Sequence, residues 1–318
     1  MKNRFRGAIL SLACGDALGA PAEFLTRTAL AARYGRITDM ESNHIWDVGE
    51  WTDDTALTLC VAQGILTAGV TGDPVPTVGE RFVAWYRSVP KDVGATIRSA
   101  LSGFRGDWTK AAQNTLQAQT RKAAGNGSLM RTLPVALVYR DETQMLTQSA
   151  RISAMTHWDA EAETCSAVYS LWIRNLLAGQ ERRDAWNTAL LRAQERIPDF
   201  PATSETPGLS SVSAPLWERL SAAPNLAEAD LQPSGYAGYV VECLEAAAWH
   251  VIAAATLEET LIGTANMAGE SDTIGAVAGG AAGAFWGATA IPARWLDVLY
   301  ERDELEAVAD ALLTLRQA

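Results

Sequence analysis

Two short acidic clusters, each at the start of an apolar helix, are the residues of this chain best suited to chemistry. The first is Thr52-Asp53-Asp54-Thr55 and the second is Gly269-Glu270-Ser271-Asp272-Thr273. Helix capping is one interpretation of each cluster alone, because free N–H groups and the helix dipole favour negative charge at a helix start. If the two helix starts meet, however, their carboxylates repel one another unless a cation neutralises them. Carboxylate and hydroxyl oxygens without His or Cys favour Mg²⁺ or Mn²⁺, so the pair of clusters predicts a metal site with two ions.

The composition allows a large buried core and argues against nucleic-acid binding. The chain has 318 residues, 48% of them hydrophobic, and a formal net charge of -11 at pH 7. An acidic protein lacks the broad basic surface that non-specific binding of DNA or RNA requires. We therefore expect no nucleic-acid partner.

The four cysteines predict buried free thiols rather than disulfides. They are widely separated, and none forms a Cys-x-x-Cys pair; they are Cys14, Cys60, Cys165 and Cys243. Free thiols are typical of a reducing compartment. The apolar N-terminal run is too short for a signal peptide and is interrupted by Asp16. We therefore predict a cytoplasmic protein.

Helical periodicity dominates the chain and strand-like alternation is scarce, which predicts an all-α fold of about a dozen helices. The apolar segment 274–292 resembles a membrane span, but it is at the short limit of length and adjoins acidic residues, so a buried central helix is the favoured interpretation. The other main helices are expected at 4–18, 55–68, 77–88, 94–102, 128–139, 142–155, 159–177, 182–196, 239–255, 257–266 and 303–315.

Two helical stretches carry small residues four positions apart, so each presents a smooth ridge that allows close helix packing. We predict that both ridges lie at the centre of the fold. The first ridge consists of Gly7, Ser11, Gly15 and Gly19, and the second of Gly275, Gly279, Gly283 and Gly287.

The segment 198–235 differs from the rest, because it holds six of the twelve prolines and many Ser, Ala and Thr residues. An interdomain linker is one interpretation, but nothing after it resembles an independent domain. We therefore predict a single domain over residues 1–318, with a long functional or peripheral loop at about 198–235.

Four further motifs have both a structural and a functional interpretation. Glu23 follows the helix stop Gly19-Ala20-Pro21 and is free to reach a metal, although a solvated side chain is the simpler explanation of it alone. Asp92 precedes a helix and is compatible with capping. The turn Gly125-Asn126-Gly127-Ser128 presents N–H groups that can bind phosphate, although it is not a Walker motif. His157, at a junction of two helices, is either structural or a ligand contact.

Taken together, these motifs resemble those of the ADP-ribosylglycohydrolase family. They follow one another in the family's order and span residues 15–280; any one is weak, but the ordered set is specific. The matching stretches are Gly15-Asp16-Ala-Leu-Gly19-Ala-Pro21-Ala-Glu23, Thr52-Asp53-Asp54-Thr55, Asp92-Val-Gly94, Gly125-Asn126-Gly127-Ser128-Leu-Met130-Arg131, Thr156-His157, Gly238-Tyr239-Val-Val-Glu242-Cys-Leu-Glu245-Ala-Ala-Ala-Trp249 and Asp272-Thr273-Ile-Gly-Ala-Val-Ala-Gly.

The resemblance implies one compact multi-helix domain with two Mg²⁺ or Mn²⁺ ions, which hydrolyses the bond between C1″ of ADP-ribose and a protein side chain, chiefly arginine. The expected partners are ADP-ribosylated protein and ADP-ribose, with no membrane. Asp54 would also serve catalysis, and either Asp92 or Glu23 would relay protons. By match to the family motifs, the metal ligands would be Thr52, Asp53, Asp54, Glu270, Asp272 and Thr273. The ADP-ribose contacts would be Gly125, Asn126, Gly127, Ser128, His157 and Tyr239, with Tyr236 as the alternative to Tyr239.

Glu270 departs from the family pattern, which usually has Asp two residues before the Asp-Thr pair. Its extra methylene extends the reach of the carboxylate and puts metal affinity and turnover, rather than the fold, in question. Two alternatives therefore stay open: a non-catalytic ADP-ribose-binding or structural member, and a hydrolase of another ADP-ribosyl linkage, such as O-linked serine, a nucleobase or a small guanidine. Selectivity among linkages would lie in loops such as 36–50 and 198–235.

Overall fold

A computed structural model of the chain describes residues 1–119, 124–209, 212, 214–231 and 238–317, and in these residues the protein is all-α. No strand is present in the described ranges, where two isolated β-bridges join Glu23 to Gly269 and Gly125 to Tyr239. The helices are α1 Lys2–Gly19, α2 Arg27–Tyr34, α3 Asp53–Ala68, α4 Pro74–Arg87, α5 Ala95–Gly103, α6 Trp108–Ala118, α7 Leu133–Val138, α8 Glu142–Ala154, α9 Ala160–Leu177, α10 Arg182–Arg196, α11 Ala214–Ala222, α12 Val240–Ala253, α13 Leu257–Ala265, α14 Ser271–Trp286, α15 Ala293–Leu296 and α16 Arg302–Gln317.

The antiparallel pair α1 and α14 lies at the centre of one hydrophobic core, as the two ridges of small residues predict. Their backbones touch: a methyl group added at Gly15 would lie 2.0 Å from the carbonyl oxygen of Gly275. One added at Gly283 would lie 2.0 Å from the carbonyl oxygen of Gly7. Only hydrogen at these positions allows so close an approach, so the glycines fix the separation of the two helices.

The second ridge is shorter than its spacing predicts. Helix α14 ends at Trp286, and Gly287 follows it with φ 82°, a left-handed conformation that glycine adopts readily at a helix C-terminus. The prediction of one helix over 274–292 is therefore wrong in its last residues. None of the described helices combines the length and apolarity that a membrane span requires.

Three other features differ from the sequence-based expectations. Residues 128–131 form hydrogen-bonded turns, and the helix expected at 128–139 begins only at Leu133. The segment 198–235 is only partly loop, because α11 lies within it. Helices α2, α6, α11 and α15 went unpredicted; they are short, and α2 buries only Leu30, which leaves little apolar periodicity to detect.

The four cysteines are free and buried, as predicted; they are Cys14, Cys60, Cys165 and Cys243. Each adds to the apolar interior as a small hydrophobic side chain.

Candidate active site

Helix α1 holds the starts of α3 and α14 side by side. Asp16, fully buried on α1, accepts hydrogen bonds from the N–H groups of Thr52 and Thr55, both at 3.0 Å, and from the Thr55 hydroxyl at 2.6 Å. The carbonyl of Gly19, at the end of α1, accepts a hydrogen bond from the Ser271 hydroxyl at 2.9 Å. One helix therefore positions both acidic clusters.

The two clusters meet at the carboxylate of Asp54. The hydroxyl of Thr52 donates to Asp54 Oδ2 at 3.2 Å. The hydroxyl of Thr273, which lies 219 residues after Asp54 in the sequence, donates to the same oxygen at 3.4 Å. In the described residues, Asp54 Oδ1 and Asp272 Oδ1 are buried without a hydrogen-bond partner. Burial is the main cause that raises the pKa of both carboxyls well above its usual range, and the charge of the neighbouring Asp16 raises it further. Buried carboxylate oxygens without donors are the groups that a cation would stabilise.

The same surroundings act on Asp53. Its Oδ2 accepts a hydrogen bond from the N–H of Gly94 at 3.3 Å, which ties the loop after Asp92 to the start of α3. Burial and the charge of Asp92 together raise the pKa of Asp53 to about 7. A cation beside Asp53 would reverse this effect, because a positive charge favours the ionised carboxylate.

The donor atoms of this cluster fit Mg²⁺ or Mn²⁺, because they are carboxylate and hydroxyl oxygens. Among the residues that the structure describes, no group of three or more His, Cys, Asp or Glu side chains is arranged so that it could hold a metal ion by itself. Threonine hydroxyls and water oxygens would have to complete the coordination. Such mixed coordination is usual for Mg²⁺, which retains several water ligands in proteins.

A cavity of about 610 Å³ opens over the acidic cluster and brings most of the predicted site residues together. Its size lies within the range that small-molecule and cofactor sites occupy, roughly 300–1,000 Å³. We call it the main cavity. The predicted site residues that line it are Glu23, Asp53, Asp54, Asp92, Gly125, Asn126, Gly127, His157, Glu270, Asp272 and Thr273.

Two half-buried carboxylates, those of Glu23 and Asp92, line the main cavity. Backbone hydrogen bonds fix the loop that carries Glu23. Phe24 N–H donates to the Gly269 carbonyl at 2.7 Å, and Gly269 N–H donates to the Leu25 carbonyl at 3.0 Å. Burial, together with the charges of Asp272 and Asp92, raises the pKa of Glu23 strongly. Asp92 accepts a hydrogen bond from the next N–H, that of Val93, at 2.8 Å.

Backbone hydrogen bonds and a buried arginine hold the glycine turn of the main cavity. Asn126 N–H donates to the Gly238 carbonyl at 2.7 Å, and Val240 N–H donates to the Ala124 carbonyl at 3.0 Å. The guanidinium of Arg131, fully buried, donates to the Gly127 carbonyl at 2.9 Å. Burial lowers the pKa of Arg131 to about 9, so this side chain keeps its positive charge at neutral pH.

The hydrogen-bond chain behind His157 sets the tautomer of its ring. Arg131 Nη2 donates to the Thr156 hydroxyl at 2.8 Å, and that hydroxyl lies 2.7 Å from His157 Nδ1. Arginine can only donate, and among the described residues Nδ1 is the acceptor available to the Thr156 proton; the ring proton is therefore on Nε2. A methyl group added at Gly125 would lie 3.1 Å from Nε2. Burial and the charge of Arg131 lower the pKa of His157, which therefore presents a neutral N–H donor beside the turn.

Three predicted site residues do not line the main cavity. Thr52 is buried beside it. Ser128 is fully buried below the turn, and its hydroxyl has no hydrogen-bond partner in the described residues. Tyr239 lines an adjoining cavity of about 210 Å³, and its hydroxyl donates to Glu161 at 2.8 Å. Tyr236 lies outside the described residues.

Glu270 connects the acidic cluster with the glycine turn. Its Oε2 accepts a hydrogen bond from the Asn126 side chain at 3.4 Å, and it lines both the main cavity and the adjoining one. Burial raises its pKa, while the hydrogen bond from Asn126 lowers it. The Glu270 side chain, one methylene longer than Asp, therefore reaches from the acidic cluster to the glycine turn.

Sequence reasoning missed three residues that shape the site. The positions of Asp16 and Arg131 within apolar runs were the available signal, because buried charges are rare unless they are paired. Phe24 lines the main cavity, is 71% exposed and has φ 60°, which is unusual for a residue other than glycine. No feature of the sequence marks Phe24.

Comparisons with known proteins agree with this fold. The sequence model of the ADP-ribosylglycohydrolase family matches residues 1–318. The ADP-ribosyl-[dinitrogen reductase] glycohydrolase of Rhodospirillum rubrum is 30% identical over 98% of this chain and 96% of its own length. The ADP-ribosylarginine hydrolase Tri1 of Serratia proteamaculans is 27% identical over 98% of this chain and 79% of its own length. A solved chain described as an ADP-ribosylglycohydrolase-related protein complex superposes with a TM-score of 0.75 at 31% identity, covering 99% of this chain and 98% of that one.

The all-α fold and the similarity to glycohydrolases over nearly the whole chain define a hydrolytic enzyme that acts on a glycosidic bond. The chain belongs to the ADP-ribosylglycohydrolase family.

Proposed function

We propose that this enzyme releases ADP-ribose from modified protein side chains, chiefly from the guanidinium of arginine, with the help of two Mg²⁺ or Mn²⁺ ions. The names of two relatives support the arginine linkage and the protein substrate: an ADP-ribosylarginine hydrolase and an ADP-ribosyl-[dinitrogen reductase] glycohydrolase. A cytoplasmic location is part of the proposal, and the four buried free thiols support it.

One observation carries the proposal. Hydroxyls from both acidic clusters, those of Thr52 and Thr273, contact a single carboxylate oxygen of Asp54. The second oxygen of that carboxylate and Oδ1 of Asp272 are buried without a partner in the described residues. Residues far apart in the sequence therefore form one buried, oxygen-rich cluster at the base of a cavity, which is the setting that divalent cations require.

The acidic cluster would hold the cations through oxygens of Thr52, Asp53, Asp54, Glu270, Asp272 and Thr273. When bound, the cations would fix the 2″ and 3″ hydroxyls of the distal ribose and make a nearby water more acidic. As the glycosidic bond breaks, positive charge develops on C1″ and on the ring oxygen. The carboxylates of the main cavity stabilise that charge, because their positions are fixed before the reaction begins.

Protons pass through a carboxylate at the edge of the main cavity. Either Asp92 or Glu23 takes a proton from the attacking water and passes it to the departing guanidine, which leaves as guanidinium. The glycine turn and the Nε2–H of His157 bind the diphosphate through N–H donors. Arg131, buried behind them, adds a positive charge that favours an anion at this turn.

The proposal is tested by two substitutions within the acidic cluster. Asp54→Ala and Asp272→Ala should each abolish metal-dependent release of ADP-ribose from an arginine-linked substrate while the protein stays folded. Glu163→Gln is the matched control, because Glu163 is equally buried but does not line the main cavity. Normal turnover by either aspartate variant would refute the site assignment.

The alternatives are separated by changing the substrate. Release should be measured from arginine-, serine- and nucleic-acid-linked ADP-ribose with Mg²⁺, Mn²⁺ and a chelator. We expect the fastest release from arginine and none with the chelator. Faster release from another linkage would replace the arginine assignment, and calorimetric binding of ADP-ribose without any release would identify a non-catalytic protein.

A further inference from the structure

A third, smaller cavity lies beside the main cavity on the side of Asp92. Its volume is about 130 Å³, room for about four water molecules, and it shares the carboxylates of Asp53 and Asp92 with the main cavity. We call it the aromatic side cavity. It is lined by Trp46, Glu50, Trp51, Thr52, Asp53, Ala56, Trp85, Pro90, Lys91, Asp92 and Tyr300.

Two aromatic walls of the side cavity, Trp46 and Trp51, have contacts that fix their positions. Trp46 is only 6% exposed, and its backbone N–H donates to the side chain of Asn43 at 2.8 Å. The indole N–H of Trp51 donates to the carbonyl of Tyr300 at 3.1 Å, and the two rings lie 5.7 Å apart. Rigid aromatic groups around an open space are a preorganised binding surface, because ordering them costs little when a ligand enters.

The side cavity already binds one cation of the protein itself. The ammonium of Lys91 lies 5.3 Å from the centre of the Trp46 ring, 2.6 Å from a carboxylate oxygen of Glu50 and 3.0 Å from the carbonyl of Ile45. Aromatic faces and carboxylates both attract cations. Asp53 is assigned to the cations, and the remaining carboxylates of Glu50 and Asp92 still outnumber the one ammonium group in this cavity.

We propose that the aromatic side cavity binds the arginine side chain of the modified protein, and that Trp85 and Tyr300 determine the preference for a guanidinium. This inference rests on the proposed function. Asp53 and Asp92 line both cavities, so the aromatic side cavity lies beside the acidic cluster over which the ribose would bind, and we place the leaving group there. A guanidinium is planar and weakly hydrated, and it stacks on aromatic rings more readily than a neutral side chain does.

The binding test uses small probes and does not depend on hydrolysis. Agmatine should bind the wild-type protein in saturation-transfer NMR, and its uncharged ureido analogue should not. Trp85→Leu should weaken agmatine binding about tenfold, and Tyr300→Leu about threefold, because a cation–π contact with an exposed ring contributes less. Tyr300 is 52% exposed, so its substitution leaves the fold intact even if that of Trp85 does not.

The kinetic test separates recognition of the arginine from recognition of ADP-ribose. Trp85→Leu should raise the KM for an ADP-ribosylarginine peptide about tenfold and Tyr300→Leu about threefold, while the Kd of free ADP-ribose measured by calorimetry stays unchanged in both. Trp108→Leu is the matched control, because Trp108 is half-buried on a neighbouring helix and lines neither cavity. Equal binding of the two probes, or equal effects of Trp85→Leu and Trp108→Leu, would overturn the inference. Charge-dependent agmatine binding by a protein that releases no ADP-ribose would sustain this site and refute only the proposed function.

Discussion

The substitution Asp16→Ala tests whether α1 positions the acidic cluster. Asp16 does not line the main cavity, yet its carboxylate holds the backbone of Thr52 and Thr55 through hydrogen bonds of 3.0 Å. Without that carboxylate, the start of α3 is free to shift. Because this helix start carries the proposed metal ligands Thr52, Asp53 and Asp54, we expect activity to fall far more than stability.

The expected magnitudes follow from the contacts. Two buried N–H groups without an acceptor cost about 1 to 3 kcal/mol each. Removing the charge offsets part of this cost, because burial raises the pKa of Asp16 from 3.8 to about 6, which corresponds to roughly 3 kcal/mol at neutral pH. The two effects nearly cancel, so we expect the free energy of unfolding to change by no more than a gain of about 1 kcal/mol or a loss of about 3 kcal/mol. A displacement of about 1 Å in the site lowers kcat by about 100-fold.

The assay compares urea unfolding with release of ADP-ribose at pH 7.5. Ser11→Ala is the control on the same helix, because Ser11 is fully buried and its hydroxyl has no partner among the described residues. The control should change neither quantity. A folded Asp16→Ala protein with a kcat within threefold of wild type would show that α3 is positioned without Asp16.

Three further substitutions test other parts of the structure. Gly275→Ala places a methyl group 2.3 Å from the Gly15 carbonyl and should lower the free energy of unfolding by about 1 to 3 kcal/mol, whereas Gly103→Ala, with open space around it, should not; equal thermal melts would contradict the close contact of α1 and α14. Burial raises the pKa of Glu163 from 4.5 in the unfolded chain to about 9 in the folded protein. Between these two pH values the Glu163 carboxyl is ionised in the unfolded chain but protonated in the folded one, so the stability of the wild type falls as pH rises. Glu163→Gln should therefore be more stable than wild type in urea at pH 8 by about 2 to 4 kcal/mol, and no more stable at pH 4; a pH-independent difference would refute this assignment. Thr156→Val removes the hydroxyl behind the imidazole and should raise the Kd of ADP-ribose about tenfold in calorimetry; an unchanged Kd would refute the tautomer argument.

The centre of the fold was predictable because small residues leave a clear trace in the sequence. Glycines recur at helical spacing in both central helices, at Gly7 and Gly15 and at Gly275 and Gly283, and this spacing is expected where two helix backbones touch. The acidic helix starts were equally visible, because adjacent carboxylates are costly to bury unless they serve a purpose. These two patterns together fix which helices meet and which carboxylates they bring together.

Other features depend on contacts that sequence spacing does not encode. The hydroxyl of Tyr239 contacts Glu161, and its backbone bridges to Gly125; neither contact can be derived from local pattern. The aromatic side cavity draws residues from 46–56, 85–92 and 300, which come together only through the packing of α3, α4 and the chain before α16. Helix α11 was not predicted because it lies in a proline-rich segment, and proline is typical of loops.

The most direct test of the central claim is an anomalous-scattering map from crystals grown with Mn²⁺. We expect two manganese peaks about 4 Å apart, between the carboxylates of Asp54 and Asp272 and within reach of the hydroxyls of Thr52 and Thr273. A map with no peak at that position, or with the starts of α3 and α14 bound to separate ions, would contradict the claim that the two acidic clusters form one metal centre.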